Sequence, residues 1–226
     1  MKNYLIIRIL TFFSLVAVLV FISGCKEEAL TDIDGNVYKV VKIGNHVFMT
    51  ENLKVTKYKN GDLIETTDPV TLDISDISTP KFQWVAGGKE QNLDLYGRYY
   101  TWYAVTDPRG ICPEGWHIMT DTEWADLCNY AGGRNNASGK LKDATSGMWA
   151  YGNSQVSNST RFSARPAGAR GANGAFGGMS HYGGWWSTAD REELVGAYWR
   201  IFYNDDIVKR VDFKKNSGFS VRCAKD

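Results

Sequence analysis

The chain has 226 residues, with 26 Lys and Arg against 25 Asp and Glu and a formal net charge of +1. That near-balance leaves no basic stripe of the kind that holds nucleic acid, which excludes a nucleic-acid partner. Eight Trp, twelve Tyr and 23 Gly speak against a helical bundle and for an α+β domain, in which large aromatics fill the core and glycines turn the chain.

At the N-terminus, Lys2 and Arg8 precede an almost unbroken apolar stretch over residues 9–22. This is the length of a signal-peptide core and short of the roughly 20 residues a membrane-spanning helix needs. The run Ile22-Ser23-Gly24-Cys25 that follows resembles the lipobox of bacterial lipoproteins. Small residues there let the backbone lie extended in a protease cleft, and the Cys25 thiol is the nucleophile that takes a diacylglycerol. The resemblance implies cleavage after residue 24, lipidation of Cys25 with acyl chains such as palmitate, and a membrane partnership through that anchor. Two or more chains hold firmly where one is marginal. Lys26-Glu27-Glu28 resembles the acidic tag of surface-exported lipoproteins of the Bacteroidota, which implies the outer membrane and its outer face, with the periplasmic face as the second choice. Residues 1–24 are thus expected to be the signal peptide, 25–30 a tether, and 31–226 one domain. Loss of residues 1–24 leaves 24 basic against 25 acidic residues, a net charge of −1.

Residues 33–51 predict a hairpin, with Val37, Lys39, Val41 and Ile43 leading to Gly44-Asn45, and Val47, Phe48 and Met49 following. Residues 53–95, with turn signals at Asn60-Gly61, Asp68-Pro69 and Gly87-Gly88, predict a long surface excursion. From Tyr96 to Val105 the dense apolar and aromatic positions allow a short helix or a strand. A helix is predicted over residues 121–131. Thr120 and Glu123 have the spacing of a capping box, Trp124, Leu127, Cys128 and Ala131 form one apolar stripe, and Gly132-Gly133 ends it. Residues 132–184 are Gly, Asn, Ser and Ala rich and predict long loops anchored by Met148, Trp149, Phe162, Phe176 and Met179. The remainder predicts an antiparallel meander turning at Asn204-Asp205.

Beyond Cys25 there are three cysteines, and an oxidising envelope compartment favours pairing two of them. Cys112 sits in a turn-like stretch and Cys223 ends the last predicted strand, while Cys128 lies on the apolar side of the helix. A Cys112–Cys223 disulfide is therefore expected, with Cys128 a buried free thiol.

Several blocks carry a family resemblance: DIDGNVYKVVKIGNHVFMTENLK from Asp32, YGRYYTWYAV from Tyr96, GICPEGWHIMTDTEWADL from Gly110, FSARPAGAR from Phe162, WWSTA from Trp185 and the terminal GFSVRC. In that order they resemble the Fibrobacter succinogenes major paralogous domain, over nearly all of the chain after Cys25. The resemblance implies a C-type lectin-like fold, with antiparallel sheets, two short helices and long Gly/Trp-rich loops. It implies no known activity.

The chemistry is sparse. The Glu-Pro-Asn, Gln-Pro-Asp and Trp-Asn-Asp motifs of calcium-dependent lectins are missing, and no loop supplies an alternating acidic run for calcium. Asn204-Asp205-Asp206 reads as a turn. Formylglycine-generating enzymes share the lectin-like fold but use a close pair of cysteines near the C-terminus, where Cys223 stands alone. His46, His117 and His181 have no metal spacing, and no GxSxG, P-loop or dinucleotide motif occurs. No metal or cofactor is expected, and His117, Arg98, Arg165 and Arg222 are expected to be structural hydrogen-bonding residues. What remains is a recognition platform built from Trp149, Tyr151, His181, Tyr182, Trp185 and Trp186, since rigid aromatics bind sugars or proteins at low entropy cost. One of Trp185 and Trp186 must be core, because strand neighbours face opposite ways, and the sequence leaves open which faces outward. The expectation is a non-enzymatic envelope lipoprotein for binding or display of a glycan or protein partner. The alternatives are an enzyme acting on envelope polysaccharide or protein, and a structural component of a surface assembly.

Overall fold

Short strands alternate with tight turns from the first residues of the domain. The computed structural model describes residues 29–145, 147–152, 156–190 and 192–226; Cys25, the signal segment and most of the tether lie outside them. In chain order the strands begin with β1 (Leu30–Thr31), β2 (Val37–Tyr38), β3 (Val40–Ile43), β4 (His46–Met49) and β5 (Gln83–Val85). A single-turn helix α1 (Leu93–Tyr96), β6 (Arg98–Thr101) and a second single turn α2 (Trp102–Val105) follow. Then come β7 (Trp116–Ile118), α3 (Asp121–Tyr130), a third single turn α4 (Ser138–Leu141), β8 (Ala169–Arg170) and β9 (Phe176–Gly177). The chain closes with β10 (Tyr182–Asp190), β11 (Val195–Phe202), β12 (Val208–Lys214), β13 (Gly218–Phe219) and β14 (Cys223–Lys225).

The pairs between these strands are all antiparallel, in sheets β1-β2, β3-β4-β14-β7, β5-β6-β13-β8-β9 and β10-β11-β12. The protein is therefore mostly antiparallel sheet with a few short helices. Where two helices were expected, the described residues form one α-helix of ten residues, α3, three single α-helical turns and two 3-10 turns at Ala86–Gly88 and Glu90–Asn92.

The predicted hairpin forms as β3 and β4, with Ile43 opposite His46 across Gly44-Asn45. α3 also forms as its sequence dictates. Thr120 Oγ1 accepts from the Glu123 amide while Glu123 accepts from the Thr120 amide, closing the capping box. At the other end Gly132 takes φ +99°, the Gly133 amide donates to Cys128 O at 2.8 Å and the Gly132 amide to Asn129 O at 3.0 Å. These paired bonds satisfy the last carbonyls, and only glycine adopts the left-handed turn without strain.

Two expectations are corrected. Residues 53–95 are no surface excursion: Leu53, Val55, Tyr58, Ile64, Ile74, Trp84 and Ala86 are buried, and β5 joins the five-stranded sheet. The segment lacks the period-2 alternation that marks a half-buried strand, because β5 is buried along its whole length. The terminal GFSVRC run is not the last strand of the meander. Its two halves become β13, between β6 and β8, and β14, between β4 and β7.

The chain end thus occupies the centre of two sheets, and Cys223 at the head of β14 forms the expected disulfide with Cys112. Cys128 is buried and free. Arg222, between β13 and β14, is fully buried; its guanidinium donates to Met49 O at 3.0 Å, Ser163 O at 2.6 Å, Phe162 O and Asn52 Oδ1. Arg98 donates to Lys54 O and Arg165 to Leu95 O, so the three arginines expected to be structural all brace backbone carbonyls.

β10 runs between two aromatic clusters. Trp186 packs against Phe219 and donates to Tyr100 O, whereas Trp185 packs against Trp124 and donates to Asn52 Oδ1. Trp124 of α3 stacks on Trp199 at 5.8 Å and 9°. No described helix is long and apolar enough to cross a membrane.

Candidate binding cleft

The period-2 geometry of β10, β11 and β12 decides which side chains share a face. Tyr182 lies opposite Phe202, Gly184 opposite Arg200, and Trp186 opposite Tyr198; on the other side Arg200 meets Lys209 and Gly196 meets Phe213. Tyr182, Trp186, Tyr198, Arg200, Phe202 and Phe213 therefore project from one face. Trp186 and Tyr198 are covered by the core, but the Tyr182–Phe202 end is not. Across from that end stands the β8–β9 ribbon, coupled to β10 by a bridge between Gly168 and Gly183 and by the Gly168 amide donating to Tyr182 O at 2.8 Å. The gap between ribbon and sheet is a cleft of about 330 Å³.

Its walls are aromatic. Tyr182 and Phe202 lie 5.3 Å apart, and Phe219 stacks on Tyr198 at 4.1 Å with Phe213 edge-on at 5.7 Å. Gly184 lets Phe219 sit this close, since a Cβ there would come within 2.9 Å of its ring. Ala169, Gly171, Ala175 and Gly177 keep the opposite wall low, with Phe176 as its one ring. Burial pushes the Tyr182 hydroxyl up to about 12, so it remains protonated and able to donate at neutral pH.

Two guanidinium groups border the cleft and differ in their engagement. Arg170 is fully buried and donates to Val70 O at 2.9 Å, Leu72 O at 2.5 Å and Gly171 O at 3.1 Å, with Trp84 under it at 4.0 Å. Burial lowers it to about 10, which leaves it charged at neutral pH. Arg200 makes one long bond, Nη1 donating to Tyr198 Oη at 3.4 Å, and lies 4.8 Å from the Phe202 ring centre. Its Nε is buried and has no acceptor.

Of the residues nominated from sequence, Tyr182 is the one that lines this cleft. Trp149 and Tyr151 line a separate hollow of about 190 Å³ with Asp143 and Thr145. The Ala150 amide donates to Ser180 O at 2.8 Å, which brings that loop beside His181, itself exposed and edge-on to Tyr203 at 5.1 Å. Trp185 and Trp186 are corrected: both are 0 % exposed. They do face opposite ways, but at these two positions both faces of β10 are covered, one by β13 and α2, the other by α3. The residues that sequence reasoning missed include Phe213 on β12 and Tyr198, Arg200 and Phe202, which stand at alternate positions of β11, where period-2 spacing was the available signal.

Another hollow, about 410 Å³, lies beside Trp102, Asp107 and His117. Its titratable groups are engaged elsewhere. Asp107 pairs with Arg109 at 2.8 Å and Lys81 at 2.7 Å, and hydrogen bonds from Arg109 hold its carboxyl well below the usual range against the effect of burial. His117 sits between Asp226 at 2.6 Å and Glu123 at 2.9 Å, the expected structural role. Among the described residues no group of three or more His, Cys, Asp or Glu is arranged to hold a metal ion.

Residues 41–225 match the family described as Fibrobacter succinogenes major domain. No curated protein and no solved structure matches the chain.

Proposed function

The chain belongs to the Fibrobacter succinogenes major domain family, and on that premise we propose that it is a non-enzymatic lipoprotein of the cell envelope. Its domain, read as C-type lectin-like, holds a saccharide in the cleft between the β8–β9 ribbon and β10–β12. The observation that carries the binding role is the set of rings that line it, Tyr182, Phe202 and Phe213, beside an arginine with unused donors. Sugars present flat C–H faces to such rings and hydroxyls to such donors. Phe213 is 42 % exposed at the cleft. The lipobox-like Ile22-Ser23-Gly24-Cys25 and the acidic tag behind it support an anchor at Cys25 on the outer membrane, facing outward.

Two experiments test this. Cells fed an alkyne-palmitate label should incorporate it into the wild-type chain and not into Cys25→Ser, and external protease should digest the anchored domain on intact cells. A glycan array probed with the full-length chain in detergent should give saccharide ligands that Phe213→Ala loses. An empty array would remove the binding role, and label retained in Cys25→Ser would remove the anchor.

A further inference from the structure

The electrostatics of the cleft narrow the ligand class. Among its lining residues there are two arginines and no Asp or Glu. Arg170 spends its donors on backbone carbonyls. Arg200 does not: among the described residues neither its Nε nor its Nη2 has an acceptor, and the Nε is buried. A buried N–H without an acceptor is costly, and here it belongs to a charged group.

The acids nearby are committed to other cations. Asp205 pairs with Lys209 at 2.7 Å, and Asp212 and Asp121 pair with Arg210 at 2.7 and 2.5 Å. The cross-strand neighbours of Arg200 are Gly184 and Lys209, neither of which offers an oxygen acceptor from its side chain. Among the described residues no carboxylate pairs with this guanidinium, and its Nη2, unbonded and not buried, is the donor that a carboxylate entering the cleft reaches.

Resting on the cleft as the saccharide site, we propose that its ligand is an acidic saccharide, a uronic-acid unit of an oligosaccharide whose carboxylate accepts from Nη2 of Arg200. The ring of the same unit lies beside Phe202, where Tyr182 donates to a hydroxyl, and a neighbouring unit of the oligosaccharide reaches Phe213, which pairs with Gly196 six residues along β11 from Phe202. At about 330 Å³ the cleft is at the small end of ligand sites, suited to one or two sugar rings. An acidic peptide would meet the same charge, but several aromatic rings lining the cleft beside one guanidinium favour a flat ring bearing a carboxylate.

The test is calorimetric titration of the full-length chain in detergent with a panel of uronate tetrasaccharides, their methyl esters, and oligoglutamate. One acid form should bind. Methyl esterification and Arg200→Gln should each lower its affinity about 10- to 100-fold, the range for a charged hydrogen-bonded pair. The two losses should not add, and Arg200→Lys should fall between. Phe213→Ala should weaken acid and ester alike. Should Arg200→Gln fail to keep the wild-type melting midpoint, the ester comparison and Arg200→Lys decide the assignment. Equal affinity for acid and ester, or unchanged affinity in Arg200→Gln, overturns the carboxylate assignment and leaves saccharide binding standing. Tighter binding of oligoglutamate overturns the ligand class, and a panel without any binder, neutral sugars included, overturns both.

Discussion

Trp185 and Trp186 are adjacent in β10, yet each is fully buried in a different aromatic cluster, Trp185 against Trp124 and Trp186 against Phe219. One strand therefore joins the two clusters into a continuous interior. Truncating either ring leaves a cavity the size of an indole and removes a buried hydrogen bond, to Asn52 Oδ1, which keeps its Arg222 donor, or to Tyr100 O. Trp185→Ala and Trp186→Ala should each cost about 3–5 kcal/mol in denaturant unfolding, without a change of ligand preference in whatever protein remains folded.

The Cys112–Cys223 bridge closes a segment with a sequence separation of 111. Chain entropy assigns such a loop about 4–5 kcal/mol. Cys112→Ser with Cys223→Ser should lower the unfolding free energy by up to that amount. Thiol labelling separates the third cysteine: burial pushes Cys128 up to about 12, so it should react with iodoacetamide only after unfolding. Rapid labelling of Cys128 in the native protein would contradict its placement on the buried face of α3.

His117 gives a pH signature. Burial alone would lower its pKa, but the Asp226 and Glu123 carboxylates on either side prevail and raise it above the ordinary value. A raised histidine stabilises fully below its unfolded pKa of about 6.5, and that contribution drains away as pH rises through the higher folded value. His46, 3.8 Å from the same Glu123, faces the cluster from β4. Thermal midpoints compared between wild type and His117→Gln should differ most at mildly acidic pH and converge as pH rises above neutrality.

Asp121, the first residue of α3, works in the opposite direction. Burial raises its pKa, but hydrogen bonds from Arg210, Ser187 and Trp199 outweigh that and hold it below the usual carboxylate range. Its contribution is present above the unfolded value of about 3.9 and is lost as pH falls through the lower folded one. Asp121→Asn should cost about 1–3 kcal/mol at neutral pH, because the Arg210 and Trp199 donors lose a charged acceptor, and the difference from wild type should shrink in acid.

What could be read from the sequence was local. The capping box of Thr120 and Glu123, the stripe of Trp124, Leu127 and Cys128, and the Gly44-Asn45 hairpin each depend on residues close in the chain, and each formed. Pairings across the whole length did not announce themselves. β13 and β14 find their partners far back in the sequence, at β6 and β4, and no periodicity in GFSVRC encodes that split. The site was hidden for the same reason. Tyr182 stood out as an exposed-loop aromatic, but Arg200 and Phe213 belong to strands whose face is half core and half cleft. Where the cover ends is set by the β8–β9 ribbon, which the sequence shows only as a Gly-rich loop. Composition favoured the tryptophans as ligand contacts, and burial on both sides of β10 overrode it.

Saccharide binding in the cleft is tested most directly by hydroxyl-radical footprinting of the full-length chain, with and without its tightest saccharide from the array. Oxidation of Tyr182, Phe202 and Phe213 should fall when the saccharide is bound, while Tyr151 and His181 react as before. Protection of Tyr151 and His181 with the three cleft rings unchanged would contradict the cleft as the binding site.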